Sequence, residues 1–378
     1  MRVFYKKYLT IMFFAFFSVF SFFGAGFALP MLLVDGKMGE VLYAQEAGVA
    51  WHPASLTKLM SAFVTFEAIK KGKISLDTPV ILSRNALKVP PSKSGLPREM
   101  ALSVRDALYM IVVKSANDVA IALGEAVSGS EKAFVKEMNE TAKALGMSGT
   151  VFVNANGLHK KAQVSTARDM AILALNIKIR HPEFNSLFAT SIVQLGEAKM
   201  KSYNILLAKF RGTNGMKTGF ICAAGFNIAV SATRNSRSLI AIVFGASSER
   251  ERAQMVAQLL TKGFAGEFVG SGKSVLDLRN IVGSSPKNMR PLLCGENAPA
   301  YVAKRKREYP LGLEGQQSFL NDNIEKITYR VKLLGKMRNV VLPIKRPFHI
   351  SQTPVVVQMP VVQMPIVNVP LPRPRLNR

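Results

Sequence analysis

Beyond residue 30, short apolar runs alternate with longer stretches whose apolar residues recur at helical spacing. Leu32, Leu33 and Val34, then Val41, Leu42 and Tyr43, flank Asp35-Gly36 and Met38-Gly39, which predicts two strands joined by a glycine-rich turn. From Ser55 to about Ile69 there is no Gly or Pro and the residues are apolar almost all round. That pattern predicts a helix buried inside a domain rather than one lying on its surface. Pro53 stands just ahead, where a helix start tolerates it.

Helical spacing returns over 103–127 and 131–145, with Ser103 and Asp106 as a capping pair and Gly146 as a stop. A further helix is predicted over 166–177. The runs 225–233 and 239–245 are rich in β-branched and small apolar residues and predict a hairpin turning at 234–238. Residues 252–264 are helical again. Strands at both ends with helices between them predict an α+β fold in which N- and C-terminal strands share one sheet.

After about Gly266 the pattern breaks down into Gly, Ser, Pro and basic residues, including Lys304-Arg-Lys-Arg307. Pro recurs between Val, Gln and Met over 354–374, which favours extended polyproline geometry. Residues 267–378 are therefore expected to form a loosely ordered basic tail, with short strands somewhere between Ile327 and Ile344.

Composition narrows the class. A chain of 378 residues that is 48% hydrophobic and 20% charged has material for a large core and is not a disordered chain. Arg2, Lys6 and Lys7 precede an apolar run from Leu9 to Ala28 that ends in small residues, the pattern of a secretory signal over 1–28. The alternative is an uncleaved membrane anchor. Both put the folded part outside the cytoplasm, in the periplasm or on the outer face of the membrane. There Cys222 and Cys294 either form a bridge or remain two buried thiols.

Two cysteines and four scattered histidines give no metal-ligand spacing, so chemistry without a metal or cofactor is expected. The net charge of +26 attracts polyanions, and sixteen Lys or Arg against five Asp or Glu lie between Lys287 and Arg378. An anionic envelope surface suits that tail. Export and the lack of a recognition motif argue against nucleic acid as a partner.

Candidate chemistry begins at Ser55-Leu-Thr-Lys58. On a helix, positions i and i+3 share a face, so the Lys58 amine can reach the Ser55 hydroxyl. Inside an apolar helix the amine is desolvated, its pKa falls, and the neutral form can act as general base toward serine. The helix start adds free N–H groups where an oxyanion would develop. Two short motifs follow in order, Ser115-Ala-Asn117 and Lys217-Thr-Gly219.

In that order the three motifs resemble those of the penicillin-recognising serine enzymes. Pro53 to Met60, Met110 to Ala120, and Gly215 to Phe220 with Ala224-Gly225 are similar to the low-molecular-mass penicillin-binding proteins, the D-alanyl-D-alanine carboxypeptidases, over roughly residues 30–265. The resemblance implies a β-lactamase/transpeptidase-like fold, with an antiparallel sheet, helices on both faces and a helical subdomain, in a catalytic domain over 29–266. It implies that Ser55 is the acylated nucleophile, Lys58 its base and Ser115 a proton relay. Asn117 would hold the substrate amide. Lys217 and Thr218, on an edge strand, would bind the terminal carboxylate, with Gly219 leaving room for substrate and the N–H groups of Ser55 and Phe220 forming an oxyanion hole. Arg252 stands where the family places a carboxylate-binding arginine, although it and Arg250 equally suit a solvated helix start. Phe220 supplies only a main-chain donor, and the family's C-terminal β-rich domain and amphipathic anchor are not visible.

The function implied is release of the terminal D-alanine from peptidoglycan stem peptides, blocked by β-lactams. Three other functions stay open. A DD-endopeptidase uses the same residues. A serine β-lactamase needs a carboxylate-held water, and Glu183-Phe-Asn185 lacks the spacing for that loop. A non-catalytic envelope-binding protein would rely on the tail. His159 is expected to be a surface histidine and Trp51-His52, just before the nucleophile, to pack against the loop, while 90–97 forms a loop bordering the cleft.

Overall fold

The computed structural model describes residues 28–338. The predicted leader, apart from Ala28, and the proline-rich stretch 354–374 lie outside them. A hairpin of β1 (Met31–Asp35) and β2 (Val41–Gln45) opens the fold, and a 3-10 turn over Ala54–Leu56 runs into α1 (Thr57–Lys70). β3 (Pro79–Ile81) and β4 (Met100–Ser103) precede α2 (Val104–Tyr109), α3 (Asn117–Ser128) and α4 (Glu131–Ala144). Then come α5 (Ala167–Arg180), α6 (Asn185–Ala189), β5 (Ile192–Leu195), β6 (Ala198–Lys201) and α7 (Leu206–Lys209). The long strands β7 (Thr213–Ile221), β8 (Gly225–Arg234) and β9 (Arg237–Ala246) lead into α8 (Glu249–Ala265). Beyond them lie α9 (Arg290–Leu293), α10 (Ala298–Glu308), β10 (Thr328–Arg330) and β11 (Leu333–Lys336).

The fold is α+β. Its main sheet has the antiparallel order β2-β1-β9-β8-β7, so strands from both ends of the domain do share it, with β7 at an edge. Both faces are covered, which the side-chain alternation of β9 makes plain. Ile240, Ile242 and Phe244 join the core that contains α1, α3 and α5, while Leu239, Ala241 and Val243 pack with Ala253, Val256 and Leu260 of α8. Helix α1 runs through the larger core, with all but a few of its residues buried, as its uniformly apolar sequence requires.

The stretch expected to be helical from Ser103 to Val127 is interrupted. Ser103 caps α2 by accepting from the Asp106 N–H, as expected, but a π-helical turn at Met110–Lys114 follows and the chain breaks at Ser115, whose φ is +64°. A left-handed residue ends the helix and starts α3 in a new direction.

Residues 267–338 differ from the expected loose tail: they form an arm that wraps the domain. Cys294 is bonded to Cys222, one residue past β7. β10 pairs in parallel with β5, and β11 antiparallel with β4. The Tyr329 ring stacks on Tyr109 at 3.5 Å and its hydroxyl donates to Asp106 at 3.0 Å. A bridge across a sequence separation of 72 residues removes enough unfolded-chain freedom to contribute ~4 kcal/mol. Val275, Met289 and Val331 of the arm are buried in the larger core, and polar contacts and the disulfide add to that hold.

Candidate active site

The cleft lies where the start of α1, the break at Ser115 and the edge of β7 converge. Its volume is about 320 Å³, and its walls include Ser55, Ser115, Asn117, Thr218, Gly219 and Arg252. Lys58 and Lys217 sit behind that wall, at 0% and 2% exposure. The structure thus places Ser55, Lys58, Ser115, Asn117, Lys217, Thr218, Gly219, Phe220 and Arg252 at one cleft, and leaves Glu183 and His159 outside its lining.

Lys58 is the hub. Its Nζ donates to Ser55 Oγ at 3.0 Å, to Asn117 Oδ1 at 2.8 Å and to the Asn156 carbonyl. Burial pushes its pKa well below the ordinary lysine value, the nearby Lys217 charge pushes the same way, and Asp118 opposes both. A full set of acceptors holds the amine in place while the missing solvent removes the usual preference for its charged form.

Lys217 is depressed to about 7, by burial first and by the Arg252 charge second. Arg252, 2% exposed, is lowered to about 10 by burial. Its Nη2 donates to the Tyr203 carbonyl at 2.9 Å, and its Nε has no hydrogen-bond partner among the described residues. Two cations at one end of a cleft, incompletely neutralised by protein, make a site for an anion. Arg252 is thus buried at the cleft and is not a solvated side chain.

The two-residue link between α2's π-turn and α3 is pinned from several sides. The Asn117 N–H donates to the Ser92 carbonyl at 2.8 Å and its Nδ2 to the Pro90 carbonyl at 3.2 Å. Asp118, fully buried, accepts from the N–H and hydroxyl of Ser94. These bonds seat the 90–97 loop on the cleft, where Pro91 and Ser92 line it. A Cβ built at Gly219 would stand 2.9 Å from the Ser55 nitrogen, so β7 passes the nucleophile closer than a side chain allows. Phe220 is 42% exposed at the rim and packs against Phe226, with ring centroids 4.3 Å apart.

Two contributors escaped the sequence. Asn156 and Tyr203 act through main-chain carbonyls, which carry no residue-type signal. The segment singled out for His159 matters because of Asn156; the His159 ring packs edge-on to His52, 4.9 Å away. Trp51 donates from Nε1 to the Ala224 carbonyl, tying the approach to Ser55 onto the far end of the β7–β8 turn.

The model of the D-alanyl-D-alanine carboxypeptidase family matches residues 27–248. The D-alanyl-D-alanine carboxypeptidase DacF of Bacillus subtilis is 34% identical over 243 residues, covering 63% of this chain and 62% of the relative. DacC of Escherichia coli, of the same description, is 35% identical over 244 residues, covering 63% and 61%. The chain thus spans less than two thirds of the length of these relatives. Among solved structures, penicillin-binding protein D2 of Listeria monocytogenes in its ampicillin-bound form superposes with a TM-score of 0.57 at 35% identity, over 62% of this chain and 96% of that one.

Proposed function

The chain belongs to the D-alanyl-D-alanine carboxypeptidase family, and from that premise we propose that it is an exported serine peptidase that removes the terminal D-alanine of peptidoglycan stem peptides. The observation that carries this reading is a buried Lys58 amine 3.0 Å from the Ser55 hydroxyl.

Neutral Lys58 takes the Ser55 proton as Oγ attacks the carbonyl between the two D-alanines. The oxyanion forms against the N–H groups of Ser55 and Phe220, on the two segments that Gly219 lets approach each other. Ser115 passes the proton to the departing D-alanine amine, leaving an acyl-enzyme. Water attacks that ester with Lys58 again as base, and Ser55 recovers its proton. Asn117 holds the substrate amide while its Oδ1 keeps the Lys58 amine aimed. Lys217, Thr218 and Arg252 hold the terminal carboxylate, and the peptide lies along the free edge of β7.

β-Lactams enter the same cleft and acylate the same serine. A β-lactamase would need a carboxylate holding water beside the acyl carbonyl, and Glu183 instead faces His181, away from the cleft-lining residues. The basic arm and tail serve as an attachment to an anionic envelope surface, which the exposed Lys304, Lys306 and Arg307 of α10 support.

Intact-mass measurement after benzylpenicillin tests the reading. The wild type gains one penicilloyl group and Ser55→Ala gains none, while a peptide ending in D-Ala-D-Ala releases D-alanine only with the wild type. Absence of both the adduct and free D-alanine would sink it.

A further inference from the structure

The wall that carries Arg252 is held from behind. Along α8, Arg250, Glu251, Gln254 and Gln258 form one stripe, and each is bonded to a residue of the arm. Arg250 Nη1 donates to the carbonyls of Tyr309 and Leu311. Gln254 donates to Ser318 Oγ at 2.7 Å and accepts from the Phe319 N–H at 2.9 Å, and Gln258 accepts from the Tyr309 hydroxyl at 3.1 Å. Glu251 accepts from Arg305 Nε at 3.0 Å and from its Nη2.

Glu251 is the strictest of these contacts. It is fully buried, and a carboxylate removed from water must be matched by a cation and have its lone pairs filled. Arg305 is its ion-pair partner among the described residues, on Oε1, and the Ser247 N–H and hydroxyl fill Oε2. Ser247 immediately precedes Ser248, the N-cap of α8. The chain Arg305–Glu251–Ser247 therefore clamps the entry to the helix's first turn, and Arg252 is the fourth residue of that helix.

We propose that Arg305 is a positioning residue for recognition of the substrate's terminal carboxylate: it holds Glu251 and the first turn of α8, and so holds the Arg252 guanidinium at the cleft. Substrate touches Arg252; Arg305 acts through it. The inference rests on the reading of the cleft as a D-Ala-D-Ala peptidase site and extends it to the arm. Neither Arg252 nor Arg305 falls within residues 27–248, the span the family model matches.

The test is a double-mutant cycle on the full chain, with Arg305→Met, Arg252→Ala and the two combined, and Arg305→Lys as the conservative variant. D-Alanine release from a peptide ending in D-Ala-D-Ala gives KM and kcat, and benzylpenicillin adducts are followed by mass. Arg305→Met should raise KM about fivefold with kcat within about twofold, the size of coupling usual for neighbours sharing a network. Arg305→Lys should recover most of the loss. In the Arg252→Ala background Arg305→Met should add nothing, because the residue it positions is gone. An unchanged KM, a loss confined to kcat, or effects that multiply in the double variant would overturn the proposal. If Arg305→Met does not fold, Arg305→Lys carries the same cycle with a KM rise of about twofold, and an unchanged KM there overturns it. A wild type that neither releases D-alanine nor takes up penicillin removes the underlying reading as well. A wild type that does both, beside an Arg305→Met that matches it, removes this inference alone.

Discussion

Two lysines in this molecule have lost their water, and the proposed reaction asks opposite protonation states of them. Lys58 must be neutral to accept a proton, so activity is lost as pH falls through its depressed pKa. Lys217 must be charged to hold a carboxylate, so kcat/KM declines as pH rises past about 7, the value burial and Arg252 give it in the empty cleft. The expected profile is a bell whose alkaline limb lies far below that of an ordinary lysine. Lys217→Arg should carry that limb up by roughly two units or more, because an arginine stays charged throughout the range. A limb that does not move when kcat/KM is measured at constant ionic strength would assign it to another group. The residue types were legible: Ser55, Lys58, Ser115, Asn117, Lys217 and Thr218 all stand in short motifs whose chemistry can be argued from side chains. The carbonyls of Asn156 and Tyr203 were not, since every residue has one.

Among the elements, α1 and the β8–β9 hairpin were easy to foresee and the break at Ser115 was not. An unbroken apolar helix and runs of β-branched and small apolar residues declare themselves locally, whereas Met110 to Val127 keeps helical spacing straight through the turn that splits it. The break depends on one backbone conformation at Ser115, and on bonds from a loop far back in the sequence to Asn117 and Asp118. The meeting of β7 with the start of α1 is equally exacting. Gly219→Ala would place a methyl 2.9 Å from the Ser55 nitrogen and force the strand away from the nucleophile. Displacements near 1 Å in such a site cost roughly a hundredfold in rate, so kcat/KM should fall by about that factor. Thermal melting should fall by a few degrees as well, because the atom in the way is backbone that cannot swing aside. Near wild-type kcat/KM in Gly219→Ala would show that the close approach is not needed.

At the scale of the whole molecule, the arm is what composition hid. Residues 267–338 carry few of the apolar periodicities that mark a packed element. Beside the packing of Val275, Met289 and Val331 on the core, their attachment runs through Arg305 to Glu251, Tyr329 to Asp106 and Cys294 to Cys222, pairings between distant positions that no local window contains. The outward side of the same arm is basic. Replacing Lys304, Lys306 and Arg307 together by Glu should weaken binding to vesicles containing anionic lipid by about tenfold or more at low salt. Wild-type binding should fade as salt rises. Equal retention of wild type and variant, or equal binding to neutral vesicles, would contradict the proposed attachment.

The arm's place in the chain also sets a timetable. A ribosome makes Ser55, Lys58, Ser115 and Lys217 well before Arg305. Until Arg305 has emerged, the first turn of α8 lacks the cation that pairs with Glu251 in the finished protein. On the proposed role of Arg305, the anion-holding end of the cleft is therefore completed only after the residues that would attack the substrate have been made.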